Sequence, residues 1–365
     1  MNKAPTLKDV ARLAGVHPGT ASKALNAKTR KEVSQRTVAA VLDAARQLGY
    51  RPDPIARSLR TKHSNVIGII LPDLTNPVFP PAVRGIEDGL REHGYTALVG
   101  STDNDLAREA EIFGAMQGRR VDGFIIATAR REHPLLARAA RDGIAVVQLN
   151  RVIDGSEIPS VLVDDAEGMR LAVEHCVALG HRRLAHLAGP RDMSTGETRR
   201  QAFITACDRH ADTVTGTVVE CENYSVAAGE EATARLAQLS PRFTAILAGN
   251  DLIALGAYRT LRALGLAIPT DVSVVGFNDM PFVDMLEPPL TTVHVPQYHI
   301  GVEAARLLLE RLADGTAPAK RLLLPSRLVV RRSTGPAPVA GKTTNGDGAV
   351  SRPARRAAKT SRSSR

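Results

Sequence analysis

Tryptophan is absent from this chain of 365 residues, and 5 tyrosines and 7 phenylalanines are its whole aromatic content. Packing must therefore rest on aliphatic side chains. The 43% hydrophobic content supplies enough of them for two or three domains. Cysteine is scarce: Cys176, Cys207 and Cys221 form no CxxC pair and no metal-ligand cluster. That argues against a disulfide framework or a metal centre and reads as buried thiols in a reducing cytosol. No apolar stretch reaches transmembrane length, and MNKAPTLKDV reads as no signal peptide. A cytoplasmic protein without a membrane partner is expected, and the Asn223-Tyr224-Ser225 sequon is then a chance match. A nucleophile elbow, a P-loop and a dinucleotide fingerprint are also missing. His175, His181, His186 and His294 stand outside any such frame, so no catalytic residue, metal or cofactor is expected.

What is present is unevenly charged. Residues 1–64 hold 13 Lys+Arg against 4 Asp+Glu, a net of +9. Residues 65–333 carry a net of −5, and residues 334–365 a net of +6. A basic head on an acidic body puts the polyanion-binding surface at the N-terminus.

The head begins with TLKDVARLAGVHPGTASKALN, Thr6 to Asn26. Leu7, Val10, Ala11 and Ala14 recur at helical spacing, and Thr6 with Asp9 has the form of a capping box. Gly15 suits a tight turn, and Pro18 suits the first position of a second helix. Ala21, Ala24 and Leu25 would face the first helix, leaving His17, Pro18, Gly19, Ser22 and Lys23 outward. This pattern predicts a helix-turn-helix, whose second helix enters a DNA major groove. Lys28, Arg30 and Lys31 in the next loop are candidates for phosphate contacts. Ser34 then caps a third helix with an inner stripe of Val38, Val41, Leu42, Ala45 and Leu48, ended by Gly49. In Tyr50 to Arg60, Asp53 and Pro54 predict a short helix over about 54–60, too short to hold alone.

From Asn65 the chain alternates apolar strands with amphipathic helices. Strand-like runs lie at 66–71, 96–99, 123–127 and 145–147, with helices such as 79–93 and 106–119 between them. The pattern resumes after Ala166, with strands at 184–188, 218–220, 245–248 and 272–276, and a last strand and crossover lie over about 321–332. Strands apolar throughout are buried on both faces, which predicts an α/β fold of two lobes, each a parallel sheet flanked by helices. Ligands of such folds bind outside the carboxyl ends of the strands. Beyond Ser333 the composition turns to Pro, Gly, Ala, Ser and basic residues. This predicts a disordered tail that lacks the leucine heptads of a tetramerising segment.

TLKDVARLAGV, the following T-x-S-K-x-x-N, YRPDPIARSLR and the core phrases EHCVALGHRR, AGNDLIALG, DVSVVGFND and PPLTTVHV together resemble the LacI/GalR family of repressors over roughly residues 6 to 333. The resemblance implies a helix-turn-helix head (1–51), a hinge helix and linker (52–64), and a two-lobed periplasmic-binding-protein-like core (65–333) that binds effector and dimerises. A basic tail (334–365) follows. It implies a homodimer on a near-palindromic double-stranded operator. DNA contacts are expected from Thr6, His17, Pro18, Gly19, Thr20, Ser22, Lys23, Asn26, Tyr50, Arg57, Ser58, Leu59 and Arg60, with Leu59 as the wedge in the minor groove. It implies effector contacts from Asp73, Asn76, Phe79, Asn150, Arg199, Tyr224, Asn250 and Asn278, the effector being a small polar molecule, a sugar or sugar derivative. The chain departs from the family pattern in several places: the loop after Asn26 is longer, His17 stands for the usual capping Ser, and Lys23 stands for the usual Arg or other base reader. Pro18 and Gly19 offer no side-chain hydrogen bond to a base, which leaves direct readout mainly to Lys23. Asn278 replaces an Asp, and Val295 replaces a Gln, which would make that wall of the cleft apolar. The competing reading, a solute-binding protein of transport, leaves the head unexplained and needs export.

Overall fold

The computed structural model describes residues 5–26, 29–51, 63–239, 242–316 and 318–338. The head contains α1 (Leu7–Leu13), α2 (Pro18–Leu25) and α3 (Gln35–Gln47), with a 3-10 turn at Arg30–Glu32. Val10, Ala11, Ala21, Ala24 and Val41 are buried between the three helices, as their spacing predicts. Ser34 accepts the Thr37 N–H at the start of α3, and Gly49 ends it at φ +63.

The remaining described chain forms two six-stranded sheets. The first has the order β11-β5-β4-β3-β1-β2 and the second β12-β10-β9-β8-β6-β7. The strands are β1 (Val66–Leu71), β2 (Thr96–Ser101), β3 (Gly123–Ile126), β4 (Val146–Leu149), β5 (Ser160–Val163), β6 (Arg183–Ala188), β7 (Thr215–Glu220), β8 (Ala245–Ala248), β9 (Ser273–Asn278), β10 (Thr291–His294), β11 (Arg321–Leu324) and β12 (Arg327–Val329). All pairings are parallel except that of β10 with β12. In the first lobe lie α4 (Phe79–Arg91), α5 (Leu106–Gly118), α6 (Pro134–Arg141) and α11 (Gln297–Ala313). The second holds α7 (Asp165–Ala178), α8 (Ser194–Asp208), α9 (Val226–Ala237) and α10 (Asp251–Ala263). The chain passes between the lobes three times: from β5 into α7, from β10 into α11, and from β11 into β12.

Each lobe joins two helices through facing glycines. A Cβ on Gly85 of α4 would lie 2.1 Å from the Tyr298 carbonyl oxygen, and one on Gly301 of α11 would lie 2.0 Å from that of Ala82. In the second lobe Gly229 of α9 and Gly256 of α10 face Ile253 O and Val226 O at 2.4 and 2.3 Å in the same sense. No Cβ fits at these crossings, so backbones meet directly. One apolar cluster, including Val163, Met169, Phe277, Val293 and Val295, continues from the first lobe into the second.

The ends of the core fall elsewhere than the composition indicates. Ser64 and Asn65 already belong to the first lobe, since their N–H groups bond the Asp122 carboxylate at 2.7 and 3.0 Å. At the other end, Thr334 Oγ1 lies 2.9 Å from His175 Nε2, Gly335 O lies 3.1 Å from His181 Nε2, and Ala337 N–H donates to Leu179 O. The change to Pro, Gly and Ala after Ser333 therefore does not mark the end of the fold. Thr334 to Ala337 are stitched to the second lobe through backbone and hydroxyl groups, which need no apolar content. The expected hinge helix over 54–60 and most of the expected tail lie outside the described residues.

Candidate DNA-binding head and interlobe cleft

The head is assembled by its caps. Thr6 Oγ1 accepts the Asp9 N–H at 3.4 Å while Asp9 Oδ2 accepts the Thr6 N–H at 3.0 Å, the predicted capping box. Pro18 is the first residue of α2, and His17 is its cap: Nδ1 accepts the Gly19 N–H at 3.1 Å. His17 thus takes the place of a capping hydroxyl, with Nδ1 committed to the helix end. A side chain on Gly19 would crowd that ring, with its Cβ 3.2 Å from Nδ1. Along the outer face of α2, Gly19 and Lys23 are exposed, and Pro18, Thr20, Ser22 and Asn26 are half-buried. Lys23 Nζ pairs with Glu32 Oε2 at 2.8 Å. Tyr50 packs against the head core.

Arg30, a candidate for a phosphate contact, also has a role within the fold. It is half-buried, and its Nε donates to Ala24 O at 3.0 Å, closing the C-terminal end of α2. A carbonyl left open at a helix end attracts a nearby guanidinium, so the cation serves the fold. Lys28, Arg57, Ser58, Leu59 and Arg60 lie outside the described residues.

The cleft between the lobes gathers seven of the eight predicted effector residues. Asn76, Phe79 and Asn150 come from the first lobe; Arg199, Tyr224, Asn250 and Asn278 come from the second. Arg151 and Thr195 join them. Most sit at strand ends, in the turns that follow or at the first residues of helices, and Arg199 reaches in from the second turn of α8. Asn76 Oδ1 accepts Val78 N–H at 3.2 Å, and Asn250 Oδ1 caps α10 by accepting Ile253 N–H at 2.9 Å. Capping and lining are combined in these two residues. Asn150 and Asn278 occupy φ +66 and +118, conformations uncommon for residues with a Cβ. Strain of this kind is held in place by its surroundings. At Asn278 the backbone oxygen accepts from Gln297 Nε2 at 2.8 Å.

Asp73 is the exception. Its Oδ1 accepts the N–H and hydroxyl of Thr75, both at 2.7 Å, in a turn outside the cleft lining. A short carboxylate two residues ahead of an amide forms such a turn by itself. Val295 does not make the cleft wall apolar either. It is buried in the cluster shared by the lobes.

Arg199 is fixed by three partners. Nε and Nη2 lie 2.9 and 2.7 Å from Asp165 Oδ1, and Nη1 donates to Gly249 O at 2.7 Å. Its guanidinium carbon stacks 3.7 Å from the Phe277 ring centroid. Burial pushes the Asp165 carboxyl up, and Arg199 pulls against that rise. Tyr224 lies over Gly189, where any Cβ would come within 2.2 Å of the ring. Its hydroxyl is 3.1 Å from Thr195 Oγ1. Burial raises this phenol above its ordinary value, so it stays a neutral donor and acceptor.

Asp165 is not among the expected site residues. A pair 34 residues apart has no local signature, and DDAE reads as an ordinary acidic first turn. Arg151 follows Asn150 at the strand end, a position that points to the cleft from sequence. The histidines outside the cleft serve structure: His181 bonds Thr244, Ser273 and Gly335, and His186 Nδ1 sits 2.8 Å from Leu247 O. The three thiols are buried, and burial pushes each up to about 12, which makes them unreactive at neutral pH. Among the described residues, no helix is long and apolar enough to cross a membrane.

Comparison with known proteins agrees with this architecture. Residues 6–53 match bacterial regulatory proteins of the lacI family, and residues 173–334 match a periplasmic binding protein-like domain. The ribose operon repressor of Halalkalibacterium halodurans is 33% identical over 332 residues, covering 90% of this chain and 97% of the repressor. The structure of the lac repressor dimer bound to operator and an anti-inducer superposes with a TM-score of 0.80 at 29% identity, covering 91% of this chain and 100% of that one. A complex of the transcriptional regulator CelR with cellobiose gives a TM-score of 0.68 at 30% identity, covering 90% and 99%. With its capped helix-turn-helix, two wound lobes and a cleft at their strand ends, the chain is a DNA-binding transcriptional regulator and belongs to the LacI family.

Proposed function

We propose that this protein is a repressor that binds a near-palindromic operator as a homodimer in the cytoplasm, at the bacterial nucleoid, and that a small polar effector in the interlobe cleft controls its grip. The observation that carries this reading is the convergence of side chains from both lobes on one cleft, in a chain whose N-terminus is a helix-turn-helix. A ligand held by both lobes favours one angle between them, and an operator favours one spacing of the two heads. Binding at either place then biases the other, by the same factor in both directions.

Lys23 is the reader of base edges on α2, with Thr20, Ser22 and Asn26 beside it and the N-terminus of α1 at Thr6 set against phosphate. His17, Pro18 and Gly19 bring the backbone close to DNA, and Tyr50 supports them from the head core. Arg57, Ser58, Leu59 and Arg60 act in the minor groove, Leu59 as an apolar wedge. Unstacking by such a wedge costs about a few kcal/mol per step. The effector contacts are Asn76, Phe79, Asn150, Arg199, Tyr224, Asn250 and Asn278, with Asp73 behind them in a turn. Cellobiose in the related CelR complex supports a sugar or sugar derivative as ligand.

A gel-shift titration of the full chain on genomic fragments, with and without candidate sugars, tests the reading. A cognate fragment should be held far more tightly than random duplex, with a midpoint that moves when one compound is added. Equal grip on random and cognate duplexes, whatever the compound, would overturn it.

A further inference from the structure

Arg151 is 6% exposed, and no hydrogen bond to its guanidinium exists among the described residues. Its Nε is buried and unpartnered, and its side chain lines the cleft. An arginine cannot shed its proton, so a buried guanidinium without an acceptor is a standing cost. No carboxylate forms an ion pair with Arg151 among the described residues, and those around it have other partners. Asp165 is taken by Arg199 at 2.7 Å, Asp192 by Arg130 at 2.8 Å, and the buried Glu109, whose charge Arg151 does feel, accepts from Thr128 Oγ1 at 2.5 Å. The Tyr224 ring, 5.7 Å away, offers only its face. The other polar groups of the lining are amides, a hydroxyl and a phenol, and none of the lining residues is acidic. Arg199 therefore has its carboxylate within the site, while Arg151 enters the cleft with no acceptor bonded to its guanidinium.

We infer that the effector carries an anionic group, a carboxylate or phosphoryl on a small polyol, and that Arg151 receives it. A neutral hydroxyl can accept one hydrogen bond from this side chain but leaves its charge buried. A carboxylate or phosphoryl group supplies the charge and two acceptors in the fork geometry that a guanidinium fits. Asn150, Asn250 and Asn278, each able to donate and accept, suit the hydroxyls of the same molecule. The electrostatics of the site agree: burial pulls the Arg151 guanidinium below its ordinary value, and Arg199 adds to that, so an anion here relieves both. This assignment rests on the reading of the cleft as the effector site.

The test uses matched probes on the full chain. Calorimetric titrations compare glucose with glucuronate and with glucose 6-phosphate, and ribose with ribose 5-phosphate. Operator gel shifts with the same compounds run in parallel. In at least one pair the charged member should bind about tenfold or more tighter than its neutral partner. Arg151→Gln should remove most of that advantage, while Arg151→Lys keeps part of it. The carboxylate and phosphoryl arms separate the two sources of charge. If neutral sugars bind as well as charged ones and shift the operator titration, the regulatory reading stands and the anion assignment fails. If a charged probe binds through Arg151 but the operator titration does not move, the anion site stands and the regulatory reading fails. If no charged probe binds, or if Arg151→Gln keeps the full preference, the assignment is overturned.

Discussion

Lys23 Nζ lies 2.8 Å from Glu32 Oε2, so the one cation on the outer face of the recognition helix is already held by the loop that follows it. Both side chains are about half exposed, which makes the pair weak, about 0–1 kcal/mol. DNA must compete with Glu32 for this lysine. Glu32→Gln should therefore raise operator affinity by up to about fivefold at low salt, with the gain fading as salt rises.

Lys23→Ala separates two roles. If Lys23 reads a guanine edge, the variant loses preference at one position per half-site, about 1–3 kcal/mol, and binds other sequences as before. Binding to a set of single-base operator variants measures this. Uniform weakening on every sequence would make Lys23 a phosphate contact.

Stability should depend on acid through buried imidazoles. Burial holds His186 down to about 4, whereas an unfolded imidazole titrates near 6.5. Between those values the unfolded chain binds a proton that the native chain refuses, so this contribution is complete above that window and falls as pH drops through it. Asp251 runs the other way. Burial pushes its carboxyl up to about 7, so the native state keeps a proton that the unfolded state releases above about 4, and its contribution falls as pH rises. His186→Gln keeps a donor near Leu247 O and removes the imidazole. Urea midpoints at about pH 7, 5.5 and 4.5 should show a shallower acid slope in this variant, by up to about one proton. Equal slopes would mean that His186 titrates as it does unfolded.

The glycine crossings give a prediction about packing. Gly301→Ala places a methyl 2.0 Å from the Ala82 carbonyl oxygen, where backbone cannot yield as a side chain can. The expected loss is about 1–3 kcal/mol or more, read from a lower urea midpoint. Gly114, with open space around its Cβ position, serves as control. Its replacement by alanine should be neutral or stabilising by about 0.4–1 kcal/mol.

The C-terminal segment divides into two parts with different readouts. Residues 339–365 carry a net charge of +6. If they touch DNA, truncation after Pro338 flattens the salt dependence of operator binding and leaves the urea midpoint in place. Truncation after Ser333 also removes Thr334 and Gly335, the partners of His175 and His181, and should lower the midpoint by about 1–3 kcal/mol. An unchanged salt slope in the shorter truncation would make 339–365 a bystander.

Much of this was legible in the sequence where the signal is local. Thr6 with Asp9, Pro18, Ser34 and Gly49 set helix ends through contacts within a few residues, and the structure has them as read. Strands such as Val66–Leu71 and Ala245–Ala248 are continuous apolar runs, and their bounds agree. β5 (Ser160–Val163) has no legible strand signal, because four residues flanked by Pro and Asp carry too little pattern. The cleft is legible as a set of strand ends, yet what fills Arg199 is not, because Asp165 sits 34 residues earlier on the neighbouring helix α7 and only the packing of α7 on α8 brings the pair together. Arg30 and Asp73 share a limit of the sequence: a charged side chain in a loop looks free until the backbone group it serves is seen.

The threefold passage of the chain between lobes reaches beyond ligand binding. The first lobe needs α11 and β11, made after nearly all of the second, while the second needs β12 and Ser333 to Ala337. Neither lobe is therefore a continuous gene fragment, and a cut between β5 and α7 yields two incomplete halves. During synthesis, the opening sheet must wait with one edge strand and a packing helix missing until the ribosome has passed residue 324. A stop codon anywhere before that point takes an edge strand from both sheets at once.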